Sequence, residues 1–266
     1  NLSDTLTRRK EAYHEKLLAA ARSGGNQGGV ASIHDMVRMK EPGLEHKLFY
    51  DPARRASLTE HFVPDLTTAE QMMTSRYQEL GDFRTGIFDS KIQAPKKKGQ
   101  KAQIRFSRLG KVNGQPMQLT KSLQLQAGDF GLEAAYELKN EDSHGQNFLF
   151  LVEWNLTLLA GNAPDRNYFV AGRNLSRTAM NSMGEEDGVT EMGMRDGWLE
   201  LEINFKTARP AKFWRYPVET ISQSEGGFEK VYQGSCLLLG WEVSLKPGET
   251  FKTSVATQLI EMKHKK

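Results

Sequence analysis

The sequence predicts a mainly β protein, a large antiparallel β-sandwich with a short helical segment at its N-terminus. Three observations carry this. Residues alternate with a period of two over long stretches. In Asn147–Leu159, Phe148, Phe150, Val152, Trp154, Leu156 and Leu158 share one face, and Leu149, Leu151, Glu153, Asn155 and Thr157 share the other. Such a period means a strand buried on its first side, with a second side that turns from apolar to polar midway. Strings rich in Gly, Pro, Asn and Asp (KVNGQP, KNEDSHGQ, GNAPDRN, MGEEDG, KPGE) then read as the turns between such strands. Finally, no stretch after residue 81 competes as a long helix, and many strands at short spacing make a sandwich.

In chain order, Ser3–Ala21 reads as a helix, with Ser3 as cap and Leu6, Tyr13, Leu17 and Ala20 at helical spacing. SGGNQGG at 23–29 breaks it and marks a boundary between a helical tail (1–29) and one sandwich domain (30–266). His34 and Asp35 are adjacent and therefore point differently on a helix or a strand. DPARR at 51–55 opens on an Asp-Pro turn, and Arg54 and Arg55 suit acid pairing or an anion. Thr67 with Glu70 forms a capping-box pattern before Met73, Tyr77 and Leu80, which predicts a helix over Thr67–Leu80. Beyond it the strand pattern recurs at Ala102–Leu109, Gln118–Gln126, Leu132–Leu138, Tyr168–Ala171, Trp198–Phe205, Lys212–Tyr216, Val231–Leu239 and Phe251–Ile260. Within Trp198–Phe205, Leu199, Leu201, Ile203 and Phe205 are expected inward. Trp214–Trp241 reads as a hairpin reversing at Gly226 and Gly227, its mouth carrying Ser222, Gln223, Ser224 and Glu225.

Composition narrows the function classes. The 266 residues hold 38% hydrophobic and 26% charged side chains, an ordinary globular balance. No apolar run approaches the about 18–20 residues of a membrane span. A net charge of +3 is too mild and dispersed to argue for nucleic acid. The one basic run, KKKGQK at 96–101, reads as a solvated hairpin loop. Cys236 is the only cysteine, which excludes internal disulfides and cysteine-rich zinc sites and fits a reducing, cytoplasmic setting. It sits in an apolar run and is expected buried and inert. The chain opens at Asn1 on a polar stretch without a secretory leader, which suggests a fragment.

Neither a phosphate-cradling glycine loop, nor HExxH, nor a GxSxG elbow is present, so no cofactor or metal is expected. Carboxylates remain. Glycoside chemistry pairs two of them within about 5–10 Å, and Glu153, Glu219 and Glu225 fall in a strand and a hairpin expected to be neighbours. Trp198, Trp214, Tyr216 and Tyr232 beside polar residues suit stacking on sugars, although aromatic core is the commoner use. The carbohydrate-contact candidates are Glu153, Asn155, Trp198, Trp214, Glu219, Gln223, Glu225 and Tyr232.

Several long strings go further. SIHDMVRMKEPGLEHKLFYDPARRASLTEHF, YQELGDF, FLVEWNLTLLAGNAPDRNYF and YPVETISQSEGGFEKVYQGSCLL resemble, in this order, stretches that follow the catalytic part of family 57 glycoside hydrolases, the α-amylase and 4-α-glucanotransferase-like enzymes. The resemblance implies a C-terminal sandwich similar to the galactose mutarotase supersandwich. It also implies a missing N-terminal catalytic barrel as partner in the same polypeptide, which holds both catalytic carboxylates, so that no residue here inherits a catalytic role. The expected task is then that of an accessory domain, packed against the barrel, with contact to α-glucan as a further task. Two alternatives stand beside it. One is a glucan-binding module. The other is a self-sufficient mutarotase-like epimerase, which needs a general base and a histidine acid facing one sugar, with His61 and His144 as the candidate acids.

Overall fold

The computed structural model describes residues 6–22, 39–95, 97, 99–158 and 160–262. Eleven strands form one continuous antiparallel sheet in the order β1-β6-β10-β9-β11-β5-β4-β3-β2, with β8 pairing β9 and β7 pairing β8. They are β1 (Thr59–Val63), β2 (Asp89–Gln93), β3 (Lys101–Val112), β4 (Gln115–Gln126), β5 (Gly131–Asn140), β6 (Gln146–Leu156), β7 (Arg166–Val170), β8 (Gly184–Asp196), β9 (Leu201–Ser224), β10 (Gly227–Leu245) and β11 (Thr250–Glu261).

The sheet folds over because β9 is long enough to serve two layers. Its first part, Leu201–Thr207, pairs with β11, and its second part, Lys212–Ser224, pairs with β10. Pro210 lies between them, where a missing N–H costs no ladder bond. Apolar side chains of both layers meet in between, with Phe150 against Tyr136 (ring centroids 5.6 Å apart) and Trp154 edge-on to Phe205 (5.1 Å). The face of β6 predicted to be buried lies in this core: Phe148, Phe150, Val152, Trp154 and Leu156 are all buried.

The structure corrects the sequence reading in several places. The opposite face of β6 is also buried from Leu149 to Asn155, because Val63, Ala69 and Met72 pack with Leu149, Leu151, Trp214, Val218 and Leu238 on the outer side of the sheet. The layer that buries it comes from the segments before residue 86. Helix α1 spans His14–Arg22 and not Ser3–Ala21. The described residues before it are drawn away by Arg8, whose backbone N–H donates to Asp51 Oδ2 (2.7 Å). Helix α2 is only Ala69–Met73. Its capping box is Thr68 with Gln71, one residue later than the sequence pattern of Thr67 with Glu70. Ser75 at φ 57° is one residue past its C-cap, which stops it short of Leu80. MGEEDG does not form a turn. From Gly184 onward it is the start of β8, with bulges between Glu186 and Glu191. Trp198 and Leu199 belong to the β8–β9 turn, and Leu199 is exposed, while Leu201, Ile203 and Phe205 do face the core. The β6 strand ends at Leu156, before the predicted Leu159.

The hairpin of β9 and β10 reverses where the sequence places it. Gly227 takes φ 113°, a conformation few side chains tolerate, and Ser224 Oγ donates to its carbonyl. Ile221 and Phe228 of this ribbon are buried against Leu17 of α1 and Leu44 of a 3-10 turn, Leu44–Lys47.

Candidate functional site

On the outer face of the β1-β6-β10-β9 layer, register puts Glu153, Leu238 and Trp214 in one row, and Asn155, Cys236 and Tyr216 in the next. Paired residues share a face, so Glu153 and Asn155 point toward α2 and not toward the inter-sheet core. There they join a chain of alternating charge. Arg8 clamps Asp51, with Nη2 donating to Oδ1 at 2.7 Å and Nε to Oδ2 at 3.1 Å. Arg55 spans Asp51 (2.8 Å) and Glu153 (3.1 Å). His61 lies between two carboxylates, Glu153 at Nε2 and Glu79 at Nδ1, both at 2.8 Å. Asn155 donates to Glu153 Oε1 at 2.7 Å, and the Arg55 guanidinium lies over the Tyr216 ring.

The centre of the chain is sealed: Glu153 is 5% exposed, and His61 and Asn155 are 0% exposed, while Glu79 at its end is half-buried. A carboxylate only accepts, so both His61 ring nitrogens must donate and the imidazole is a cation. Burial pulls the His61 pKa down, but the two carboxylates outweigh it and raise it to about 9. Burial also pushes the Glu153 carboxyl up, and Arg55, His61 and Asn155 more than reverse this, holding it well below the usual carboxylate range. Asp51 is likewise held low against burial by Arg8 and Arg55. The Glu153 and Asp51 carboxylates are therefore ionised and paired. The cavity beside them measures about 10 Å³, room for a single water and far too small for a sugar.

The eight carbohydrate-contact candidates do not converge. Glu153, Asn155 and Trp214 are buried. Glu219 lies five residues further along β9 than Trp214, about 16 Å at ~3.3 Å per residue, and pairs with Lys230 at 2.9 Å. Tyr232 stands opposite Glu219, and its hydroxyl shares a hydrogen bond with Ser235 at 2.7 Å. Burial raises its pKa to about 12. Gln223 and Glu225 are exposed at the hairpin tip, and Trp198 is 73% exposed on the β8–β9 turn. No two of the three glutamates stand as a pair flanking one open space.

The other candidate acid, His144, sits exposed in the β5–β6 turn beside Asp142. Cys236 is buried, and that burial pushes its thiol up. Of the basic run, Lys97 is exposed on the β2–β3 connection and Lys101 is exposed at the start of β3. His34 and Asp35 lie outside the described residues. Sequence reasoning missed Arg8, Asp51 and Glu79 as members of the charge chain. The only local signal was the i, i+4 spacing of Asp51 and Arg55 across the Asp-Pro turn.

Further along the same face an open groove of about 450 Å³ lies between the N-terminal segment and the β9–β10 ribbon. Its walls include Arg9, Glu11, Arg54, Thr220, Ser222 and Gln233.

A family profile described as "Alpha-amylase/4-alpha-glucanotransferase, C-terminal" matches residues 1–255. The chain belongs to this C-terminal domain family. It is 36% identical over 255 residues to "Alpha-amylase 1" of Dictyoglomus thermophilum, covering 96% of this chain and 35% of that protein. It is 31% identical over 237 residues to "4-alpha-glucanotransferase" of Thermococcus kodakarensis, covering 88% of this chain and 31% of that protein. The domain thus spans about a third of the length of the curated relatives it matches. In fold it is similar to the crystal structure of 4-alpha-glucanotransferase from Thermococcus litoralis (TM-score 0.70, 22% identity, 98% of this chain and 34% of that one). A putative aldose 1-epimerase from Escherichia coli K12 shares the fold more distantly (TM-score 0.51, 13% identity, 70% of this chain and 72% of that one).

In this α-amylase/4-α-glucanotransferase C-terminal domain, the charge chain ties together parts distant in sequence. Arg8 comes from the N-terminal segment, Asp51 and Arg55 from the Asp-Pro turn, His61 from β1, Glu79 from the segment after α2, and Glu153 from β6. Ser57 adds reciprocal bonds to the Asn155 backbone at 2.9 and 3.0 Å. The arrangement can fix the outer layer on the sheet. It offers no unpaired acid or base to a substrate.

Proposed function

We propose that this chain is a non-catalytic domain of a larger α-glucan-processing enzyme, where it supports a catalytic region in the same polypeptide. The observation that carries the reading is the C-terminal family match over residues 1–255 by a chain that spans about a third of its relatives. The charge chain supports it. General acid–base work on a sugar needs an acid and a base within hydrogen-bond reach of one substrate. The His61–Glu153 contact is closed off, and His144 faces solvent beside Ser143 and Asp142. Neither His61 nor His144 gives an epimerase role a free acid–base pair to run on.

Incubation of this chain with maltoheptaose, followed by chromatography of the products, tests the reading. It predicts neither shorter nor longer oligosaccharides above the blank. Polarimetry of freshly dissolved glucose or galactose should likewise show the uncatalysed rate. Turnover in either assay contradicts the proposal.

A further inference from the structure

The edges of the sheet are finished unequally. At β1 both outward backbone groups of Phe62 are used: its N–H donates to Glu79 Oε1 at 2.8 Å, and its carbonyl accepts from the Leu80 N–H at 2.7 Å. At β7 the Tyr168 N–H donates to the Thr178 carbonyl at 2.7 Å. β2 has no such cover. All five of its residues are exposed, and among the described residues only β3 pairs with it. It runs from Asp89 opposite Ser107 to Gln93 opposite Gln103 without a bulge, and no proline interrupts it. Bulges, prolines and covering segments guard most sheet edges, and a flat open edge is a template for a further strand. The one guard on β2 is the charge of Lys91. Lys91 stands opposite Arg105 of β3, and among the described residues no acid pairs with either.

We propose that β2 is where two copies of this chain associate, their β2 strands pairing antiparallel about a two-fold axis at Ser90 and joining the two sheets edge to edge. Face and charge together select this register. Ile92 stands opposite Ile104, which stands opposite Leu123 and then the core residue Ala134. Ile92 therefore lies on the inner, apolar face, although it is 76% exposed. Paired residues share a face, so two copies that keep their inner faces together are centred on a residue and not between two. A centre at Asp89 or at Lys91 sets that charge against its own copy. A centre at Ile92 brings Pro95, which has no N–H, opposite Asp89. A centre at Ser90 sets Asp89 against Lys91 of the second copy, at both symmetric positions. The acid that Lys91 and Arg105 lack is then supplied. The same centre sets Ile92 against Phe88 of the second copy, and Phe88 already packs on the core, so the apolar face continues across the axis. Two five-residue edges fall short of the ~1,200–2,000 Å² of a stable interface, so the association is reversible and follows concentration.

Sedimentation velocity of this chain over a range of concentrations tests the proposal. A monomer–dimer equilibrium is expected, and it should weaken in high salt, which screens exposed ion pairs. Lys91→Asp sets acid against acid at both symmetric positions and should weaken the dimer about tenfold or more. Asp89→Lys sets lysine against lysine and should do the same. The double exchange, Asp89→Lys with Lys91→Asp, restores unlike pairs and should return the affinity to within about threefold of the parent. Trp198→Ala removes an exposed aromatic elsewhere and should leave the equilibrium unchanged. Both exchanged residues are exposed, and near-UV circular dichroism checks that each variant is folded. A monomer at every concentration overturns the proposal and leaves the edge to another occupant. So does a dimer indifferent to the single exchanges, or a double exchange as weak as either single one.

Discussion

The two faces of β6 solve the same problem in opposite ways. Both are buried, yet the inner face is aromatic and aliphatic while the outer face ends in Glu153 and Asn155. Inside, Phe150 contacts Phe62, Tyr136 and Trp241, and any hydrophobe of similar volume would serve. Outside, Glu153 needs Arg55, His61 and Asn155 at defined positions. An apolar face accepts neighbours by shape alone. A charged one accepts only the segment that brings the matching group. The outer layer has little regular structure of its own, with α2 only five residues long. Ion pairing supplies the register that strand pairing supplies inside. Glu60 of β1, on the inner side, repeats the device on a smaller scale, crossing to Lys121 of β4 at 2.6 Å.

The largest effects should come from breaking each face. Arg55→Ala leaves Asp51 and Glu153 buried with one partner fewer and should cost about 3–5 kcal/mol. Phe150→Ala should cost a similar ~3–5 kcal/mol by leaving a cavity. The two separate in a double mutant. Removing Glu153 as well as Arg55 should cost less than the sum of the singles by about 0.5–3 kcal/mol, measured by urea denaturation. Strict additivity would mean that the two groups do not interact.

The faces should also part with pH. Folding raises the His61 pKa from 6.5 to about 9, so its contribution is complete below about pH 6.5 and drains away as pH climbs through about 9. Folding lowers the Glu153 and Asp51 pKa values from their ordinary 4.5 and 3.8. Their contribution is present above that range and is lost as pH falls through it and below. Thermal melts of the parent should therefore be destabilised at both ends, and Phe150→Ala should keep the same profile at a lower level. His61→Gln should flatten the alkaline limb. A steep alkaline limb that survives this substitution contradicts the assignment.

Smaller effects bracket the comparison. Thr68→Ala removes the cap of α2, whose Met72 lies in the cluster beneath it, and should cost about 1 kcal/mol. Trp198→Ala lies on neither face and should change stability by no more than about 0.5 kcal/mol in the same urea assay.

This contrast also explains what the sequence could reveal. The inner face follows from a period of two, and so do the strands of β5 and β11 that oppose it. The hairpin turn follows from Gly226 and Gly227, and the family from long strings in order. β8 was hidden because its first residues, Gly184 to Gly188, are poor strand formers, tolerated where bulges interrupt the ladder. β1 was hidden because Glu60 and His61 place one charged group on each face, which erases alternation. The charge chain joins residues up to 98 positions apart, as in Arg55 with Glu153. Register alone brings them together, and a sequence does not display register. The groove depends on the same closure and was equally invisible, although its ribbon stood out.

The His61 ring is where structural and catalytic readings of the charged face diverge most sharply. Nitrogen-15 chemical shifts of its imidazole, followed from pH 5 to pH 10, report its protonation directly. A clamped cation keeps both ring nitrogens protonated at pH 7 and loses a proton only near pH 9. A ring that is neutral at pH 7, with one nitrogen bare and able to take a proton, contradicts the account.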